Sequence, residues 1–167
     1  MSDKTYNVLF LCTGNSARSI IAEAVLNQLG AGHFHAYSAG SHPRGAVHPL
    51  TLDLLQSHGY DTGTLRSKSW DEFAAPDAPR MDFIFTVCDQ AAGEACPFWQ
   101  GQPVSAHWGC ADPSHVEGDD ASRRRAFTHT HIEITNRIRL FLNLPLDKLD
   151  RMSLQTKLRE LGQNQAT

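Results

Sequence analysis

The stretch Tyr6-Asn-Val-Leu-Phe-Leu-Cys-Thr-Gly-Asn-Ser-Ala-Arg18 decides how this chain folds. Residues 6–11 form a short apolar run, which is typical of a strand buried on both faces of a parallel sheet. A polar loop follows over residues 12–18. Residues 19–29 then carry apolar side chains at helical spacing, with Gly30 at the position of a helix C-cap. The chain therefore begins with a strand, a polar loop and a helix.

The same alternation continues to the end of the sequence. Further strands are predicted over residues 33–39, 81–87 and 103–106, and further helices over residues 49–58, 70–73, 122–143 and 153–161. Strands that alternate with helices, without an internal repeat or a long linker, favour α/β architecture. We expect a single domain over residues 1–167, with a four-stranded parallel sheet flanked by helices on both faces. Ligands bind such sheets at the carboxyl ends of strands, which points to residues 12–18.

Composition narrows the classes of protein that the chain can represent. It has 167 residues, 41% of them hydrophobic and 20% charged, so it can bury a core without a disulfide or metal staple. A net charge of -3 argues against a nucleic-acid partner. The sequence lacks an apolar run near the ~20 residues of a membrane span, and its start lacks signal-peptide features. We expect a cytoplasmic monomer with no membrane partner, whose four cysteines are reduced.

Cys12 and Arg18 bracket a loop suited to a tetrahedral oxyanion, called here the Cys12 loop (residues 12–18). Its N–H groups, beside a helix N-terminus, can form an anion nest, and Arg18 can clamp an oxyanion with two hydrogen bonds. The same groups favour the Cys12 thiolate, a nucleophile toward the centre of the anion. The Ser19 hydroxyl is placed to hydrogen-bond the Cys12 sulfur. The predicted substrate-binding residues are Thr13, Gly14, Asn15, Ser16, Ala17, Arg18 and Ser19.

Two residues of this loop suit unusual backbone conformations. Gly14 permits a positive φ angle because it has no Cβ, and Asn15 tolerates the left-handed region better than most residues. The Asn15 amide can also tie the loop together through hydrogen bonds.

The stretch VLFLCTGNSARS resembles the anion-binding loop of the low-molecular-weight protein tyrosine phosphatase superfamily. The resemblance implies the fold of that family, a four-stranded parallel sheet flanked by helices. It also implies a general acid in an Asp-Pro pair, which Asp112-Pro113 matches. Two features depart from the phosphatases. Ala17 stands where they usually carry a second cysteine, and Ser114 and His115 follow the pair where they tend to place aromatic residues.

The remaining cysteines make the chain similar to the thioredoxin-coupled arsenate reductases of the same superfamily. Those enzymes use the loop cysteine and two resolving cysteines after the third strand, which Cys88 and Cys96 match; the segment AHWGCADP (residues 106–113) is also similar. The resemblance implies that the Cys12 thiolate attacks arsenate, with Asp112 as the general acid. Cys88 then releases arsenite by forming a disulfide with Cys12. Cys96 next attacks Cys88, which gives a Cys88–Cys96 disulfide and frees Cys12.

The resemblance also implies an external dithiol reductant and no required cofactor. Thioredoxin is the expected donor, glutathione with glutaredoxin is the alternative, and phosphate and sulfate are expected as competing anions. Two other functions stay open. One is a phosphatase acting on phosphotyrosine or a small phosphomonoester through a Cys12 phosphoenzyme, and the other is a non-catalytic oxyanion-binding or redox-sensing protein.

We expect no bound metal. His107 and Cys110, together with Cys88 and Cys96, would be the ligands of a zinc site, but the cysteines and histidine are not clustered in compact pairs. Cys110 is predicted to be a structural thiol.

Three further residues match positions that surround a monovalent cation in some family members. They are Asn15, Glu23 and Ser38. In this chain Lys68 is expected to place its own ammonium group where that cation would lie.

Overall fold

A computed structural model describes residues 5–87 and 103–163 of the chain. Four strands form one parallel sheet: β1 (Tyr6–Cys12), β2 (Phe34–Gly40), β3 (Phe83–Thr86) and β4 (Val104–His107). Their order in space is β2-β1-β3-β4, so the direction of chain winding reverses between β1 and β3. The carboxyl end of β1 therefore lies at the switch point where parallel sheets bind ligands.

Within the described residues, five helices and a short 3₁₀ turn connect and cover these strands. The helices are α1 (Arg18–Leu29), α2 (Pro49–Ser57), α3 (Asp71–Ala74), α4 (Asp120–Leu142) and α5 (Arg151–Gln163), and the 3₁₀ turn spans Pro113–His115. The α/β class and the four-stranded parallel sheet predicted from the sequence are confirmed, with each predicted strand and helix within two residues of its observed ends. The 3₁₀ turn was not predicted.

Alternate side chains of the central strand β1 enter two separate parts of the core. Val8 and Phe10 pack with Phe85 and Phe141 in the larger cluster. Leu9 and Leu11 belong to a second cluster on the other face of the sheet, against Trp70 and Phe73, among others. All four of these β1 side chains are fully buried, as expected of a strand covered on both faces.

Caps define where the longer helices begin. The imidazole of His48 accepts a hydrogen bond from the Leu50 N–H at the start of α2, and the Asp119 carboxylate accepts one from the Ser122 N–H at the start of α4. Helix α1 differs, because its N-cap residue Ala17 has no side chain that can cap it. Within the described ranges, no helix combines the length and the apolar character needed to cross a membrane.

Candidate active site

The sulfur of Cys12 lies at the carboxyl end of β1, inside the Cys12 loop. The residue is 3% exposed. Its Sγ accepts a hydrogen bond from the Asn15 N–H at 3.3 Å and lies 2.9 Å from the Ser19 hydroxyl oxygen, the contact expected from the sequence. Both groups can donate to a thiolate, and hydrogen bonds to the charged form favour it. The loop therefore provides the surroundings that a nucleophilic cysteine requires.

Asn15 determines the shape of the loop. Its φ angle is 45°, in the left-handed region, whereas Gly14 does not have a positive φ. The fully buried amide of Asn15 donates to the hydroxyls of Ser19 (2.9 Å) and Ser38 (3.0 Å), and its oxygen accepts from the Lys68 N–H (2.8 Å). These three bonds offset the strain of a conformation that costs a non-glycine residue of order 1–3 kcal/mol.

Neighbouring segments also hold the Cys12 loop in place. The Ser16 carbonyl accepts hydrogen bonds from the His48 N–H and the Thr51 hydroxyl, both at 3.0 Å. At the end of β2, Gly40 comes so close to the loop that a Cβ atom there would overlap the Thr13 carbonyl oxygen. The loop is therefore fixed from two sides before any anion binds.

Arg18, the first residue of α1, is engaged with the segment that follows β4. We call residues 107–112 the acid loop. The Arg18 guanidinium donates to the Cys110 carbonyl at 3.0 Å and pairs with the Asp112 carboxylate at 3.3 Å. Both charged side chains are partly shielded, at 14% and 18% exposed. The structure thus brings Asp112 to Cys12 and Arg18, from which it is distant in the sequence.

The surroundings of the Asp112 carboxyl favour its ionised form. Burial acts to raise its pKa, but the Ser114 N–H and hydroxyl both donate to one of its oxygens, and Arg18 and His115 lie close by. Together these contacts hold the pKa of Asp112 below its ordinary value. In the anion-free protein this carboxylate is therefore deprotonated near neutral pH.

The resulting cleft has a volume of about 430 Å³ and a more polar than apolar lining. Beside the Cys12 loop and the acid loop, His42, Arg44 and His115 line it. The side chain of Arg44 lies over Gly14, with Nε 3.1 Å from the position that a Cβ would occupy there. The sequence analysis missed His42 and Arg44. Their position just after the carboxyl end of β2 was a signal for them, because that sheet edge holds the site.

Cys110 differs in character from Cys12. Burial raises the pKa of its thiol to about 12, although Arg18 acts against this rise, and its sulfur lies 3.7 Å from the Val87 carbonyl oxygen. His107 instead bonds the Thr86 hydroxyl through Nδ1, at 2.8 Å. The described ranges contain no group of three or more metal-ligating side chains. Cys88 and Cys96 lie outside the residues that the structure describes.

Behind the loop, Lys68 lies among the residues matched to a cation site. Its ammonium nitrogen is 3.7 Å from Glu23 Oε1, donates to the Ser38 hydroxyl at 3.4 Å and donates to the Arg66 carbonyl at 2.9 Å. The Ser38 hydroxyl in turn donates to Glu23 at 2.5 Å. Burial lowers the pKa of Lys68 and raises that of Glu23, while their mutual attraction opposes both shifts. The Lys68 ammonium thus lies beside Glu23 and Ser38, two of the three residues matched to that cation site.

Comparison with known proteins assigns this chain and its fold to a family. Residues 7–156 match the family model described as low molecular weight phosphotyrosine protein phosphatase, and the chain belongs to that family. Within it, the chain is similar to proteins named arsenate reductase. It is 33% identical to the arsenate reductase of Halalkalibacterium halodurans over 134 residues, which cover 80% of this chain and 93% of that protein.

Solved structures of arsenate reductases also resemble the chain. The thioredoxin-dependent arsenate reductase of Corynebacterium glutamicum matches with a TM-score of 0.62 and 26% identity. The match covers 89% of this chain but 66% of that one, so this chain spans slightly less than two thirds of its length. An arsenate reductase in the phosphate-binding state matches with a TM-score of 0.64 and 25% identity, covering 83% of this chain and 97% of the other.

Proposed function

We propose that this protein is an arsenate reductase that converts arsenate to arsenite through a covalent Cys12–arsenic adduct and a disulfide relay of Cys88 and Cys96. The observation that carries the proposal is the convergence of Cys12, Arg18 and Asp112 on one cleft, in a chain whose relatives are named arsenate reductases. We extend the assignment to the whole chain as a single domain over residues 1–167.

In the first step, the Cys12 loop binds arsenate and the Cys12 thiolate attacks arsenic. A sulfur–arsenic bond forms, and one arsenate oxygen leaves as water after it takes a proton from Asp112. Helix α1 begins at the loop without a side-chain cap, so its first-turn N–H groups are available to the anion. Arg18 supplies two parallel donors in a planar fork.

Asp112 acquires its proton when the anion binds. The hydrogen bonds from Ser114, with Arg18 and His115 close by, hold the pKa of this carboxyl below its ordinary value. A bound dianion competes for Arg18 and adds negative charge beside Asp112, and both effects raise the carboxyl pKa. The proton therefore enters with hydrogen arsenate or from solvent, and the acid becomes active in the loaded cleft.

In the second step, the Cys88 thiolate attacks the Cys12 sulfur of the adduct. A sulfur–sulfur bond forms, the electron pair of the sulfur–arsenic bond stays on arsenic, and As(V) leaves as As(III) in arsenite. Cys96 then attacks Cys88, which frees the Cys12 thiolate and leaves a Cys88–Cys96 disulfide. An external dithiol supplies the two electrons that reopen it.

The register of the sheet supports a meeting of Cys12 and Cys88. The Val87 N–H donates to the Leu11 carbonyl at 2.8 Å. Each of the two cysteines immediately follows one of these paired residues in the sequence. We do not assign Cys110 to the relay, because burial raises the pKa of its thiol to about 12 and so disfavours the thiolate.

The remaining assignments follow from this chemistry. We propose thioredoxin as the electron donor, since an internal Cys88–Cys96 disulfide is a substrate for a dithiol, with glutathione and glutaredoxin as the alternative. We also propose a cytoplasmic monomer that requires no cofactor and is inhibited by phosphate or sulfate.

A phosphatase acting through a Cys12 phosphoenzyme is the second candidate, because the same loop and Asp112 also suit a phosphomonoester. The polar lining of the cleft argues against phosphotyrosine as its main substrate. His42, Arg44 and His115 are part of that lining, whereas an aromatic ring would need apolar contacts.

A turnover assay with arsenate separates the two candidates. Purified full-length protein is given arsenate with either thioredoxin, thioredoxin reductase and NADPH, or glutathione, glutaredoxin and glutathione reductase. We expect arsenite release over many turnovers with the thioredoxin system. Hydrolysis of aryl phosphates without any arsenite release would instead establish the phosphatase.

Asp112→Asn should slow arsenite release by about 10²–10⁴-fold, the range typical of a lost general acid. Anion binding should be retained or tightened, because Arg18 is no longer held by a carboxylate. Single-turnover arsenite release measures the first effect, and protection of Cys12 from alkylation by phosphate measures the second. Asp147→Asn, at an exposed residue that does not line the cleft, is the matched control. An unchanged rate at every pH would show that Asp112-Pro113 is only a turn and that Asp112 is not the general acid.

Arg18→Lys should reduce the rate of adduct formation by about 10²–10³-fold, the usual cost of losing a preorganised oxyanion donor. A lysine keeps the positive charge but cannot present the planar fork that reaches both Cys110 and Asp112. Stopped-flow consumption of arsenate measures the loss, and the exposed Arg139→Lys serves as control. A near-normal rate in Arg18→Lys would contradict clamping by two hydrogen bonds.

A further inference from the structure

A second arginine, Arg137, also binds the acid loop. It contacts Gly109, the residue that precedes the Arg18 partner Cys110. Arg137 of helix α4 donates through Nη1 to the Gly109 carbonyl at 2.7 Å, while Arg18 donates to the adjacent Cys110 carbonyl at 3.0 Å. Two successive carbonyl groups of one short loop are therefore each bound by a guanidinium from a different helix. Asp112 lies two residues beyond this pair of contacts.

The burial of Arg137 is costly, and no ion pair with another described residue offsets it. The residue is 3% exposed, and among the described residues it has no carboxylate partner. Its Nε has no hydrogen-bond partner there either. A buried charge with carbonyl partners alone retains much of its desolvation penalty. An apolar side chain in this position would fill the space at lower cost, so the polar contact itself requires an explanation.

The C-terminal helix α5 holds the other end of the acid loop. The indole N–H of Trp108 donates to the Leu158 carbonyl at 2.9 Å, and the Trp108 ring stacks on Phe85 with centroids 3.7 Å apart. Gly162 lies so close to the loop that a Cβ atom on it would overlap the His107 carbonyl oxygen. The Gly162 carbonyl also accepts a hydrogen bond from Arg137 Nη2 at 3.4 Å. Arg137 and α5 thus contact the loop as one unit.

We propose that Arg137, supported by helix α5, is a positioning residue that fixes the acid loop so that Asp112 reaches the oxyanion bound in the Cys12 loop. This inference rests on the proposed function, because it assigns the support of the general acid in that reaction. Arg137 does not itself line the cleft, so it acts through the main chain of residues 109–112.

The physical requirement is the short range of proton transfer. A general acid must lie within about 2.6–3.2 Å of the oxygen that it protonates. A displacement of about 1 Å is enough to cost up to 10²-fold in rate. If Gly109 loses its donor, this part of the loop is held by Arg18 and by the Cys110 N–H, which donates to the Val87 carbonyl at 3.2 Å. Arg18 is also the group that a bound anion recruits. The second arginine keeps the loop in place at the moment when Arg18 turns to the substrate.

A double-mutant cycle with Asp112 tests this role. Single-turnover arsenite release is measured for the wild type, Arg137→Gln, Asp112→Asn and the double variant. We expect Arg137→Gln to slow release by about 10–10²-fold when Asp112 is present. In the Asp112→Asn background the same change should cost less than about twofold, because the acid that it positions is already gone. Equal losses in both backgrounds, or no loss in either, would overturn the proposal.

Further measurements separate positioning from general destabilisation. Protection of Cys12 from alkylation by phosphate should be unchanged in Arg137→Gln, and Arg137→Lys should recover part of the lost rate. Arg139→Gln, at an exposed position on the same helix, should match the wild type. If Arg137→Gln does not fold, the cycle is run with Trp108→Phe, which keeps an aromatic ring but removes the N–H that binds Leu158.

Failure of the proposed function would be visible separately. A wild type that releases no arsenite contradicts the reductase assignment. The same cycle is then scored on phenyl phosphate, whose leaving oxygen needs a proton from the same acid. If the effects of Arg137→Gln and Asp112→Asn are not coupled in that assay, only the positioning role of Arg137 is contradicted.

Discussion

Cys12→Ser is expected to reduce both arsenite release and any aryl phosphate hydrolysis to background. Losing a covalent nucleophile typically lowers kcat by on the order of 10⁶-fold. The fold should be preserved, because serine is smaller than cysteine and its hydroxyl can still bond Ser19 and the Asn15 N–H. The measurement is a turnover assay with each substrate, together with a thermal melt of the variant.

Cys110→Ser is the matched control for this variant. Cys110 also lines the cleft, but its thiol has a pKa of about 12 and is not placed on the anion loop. We expect its turnover to stay within about twofold of the wild type, as is usual for a conservative change outside the reacting groups. Arsenate reduction that survives in Cys12→Ser would overturn the assignment of the nucleophile.

Cys88→Ser is expected to stop arsenite release while aryl phosphate hydrolysis continues. The reason is that reduction needs a second thiolate to take the Cys12 sulfur from arsenic, whereas water resolves a phosphoenzyme. A quantitative assay of arsenite over repeated turnovers measures the first activity, and release of a phenol measures the second. Loss of both activities in equal proportion would indicate a damaged site and contradict a relay role for Cys88.

The order of the relay can be tested with Cys96→Ser and mass mapping of disulfides. This variant should release one equivalent of arsenite per protein and then carry a Cys12–Cys88 bridge. The Cα atoms of the two residues must then lie about 4.4–6.8 Å apart, which sets the reach that the reaction requires. A bridge that contains Cys110 instead of Cys96 in the wild type would overturn the proposed order.

Local patterns in the sequence predicted most of the fold. The apolar run of β1, the Gly30 cap and the stripe of helix α4 are each contained within about 20 residues, so they are visible without tertiary contacts. The 3₁₀ turn at Pro113–His115 was missed because three residues carry too little periodicity to be recognised. Its cap is the Asp112 carboxylate, which accepts from the Ser114 N–H.

Local sequence patterns did not predict the conformation of the Cys12 loop. Glycine is the residue most tolerant of a positive φ, yet Asn15 adopts it, because its amide is needed by Ser19 and Ser38. Gly14 serves instead to admit the side chain of Arg44. Neither role is a property of the residue alone, since each partner comes from elsewhere in the chain.

The longest-range contacts could not be inferred at all. Arg18 and the Cys110 carbonyl are 92 positions apart, and Arg137 and Gly109 meet only because α4 packs behind the acid loop. A motif marks residues that touch the substrate, because their chemistry is distinctive. It does not mark a buried arginine whose partners are main-chain carbonyl groups.

The fixed shape of the Cys12 loop has a consequence for selectivity. Because Asn15 is held by three hydrogen bonds, we expect the loop to recognise a tetrahedral anion by size and charge, and arsenate and phosphate are closely alike in both. A rigid loop of this kind would bind either anion. Under the proposed mechanism the choice between them comes after binding, since arsenic accepts the electron pair of its bond to sulfur and phosphorus does not. Selection would then lie in the redox behaviour of the bound element, and inorganic phosphate would bind and be released unchanged.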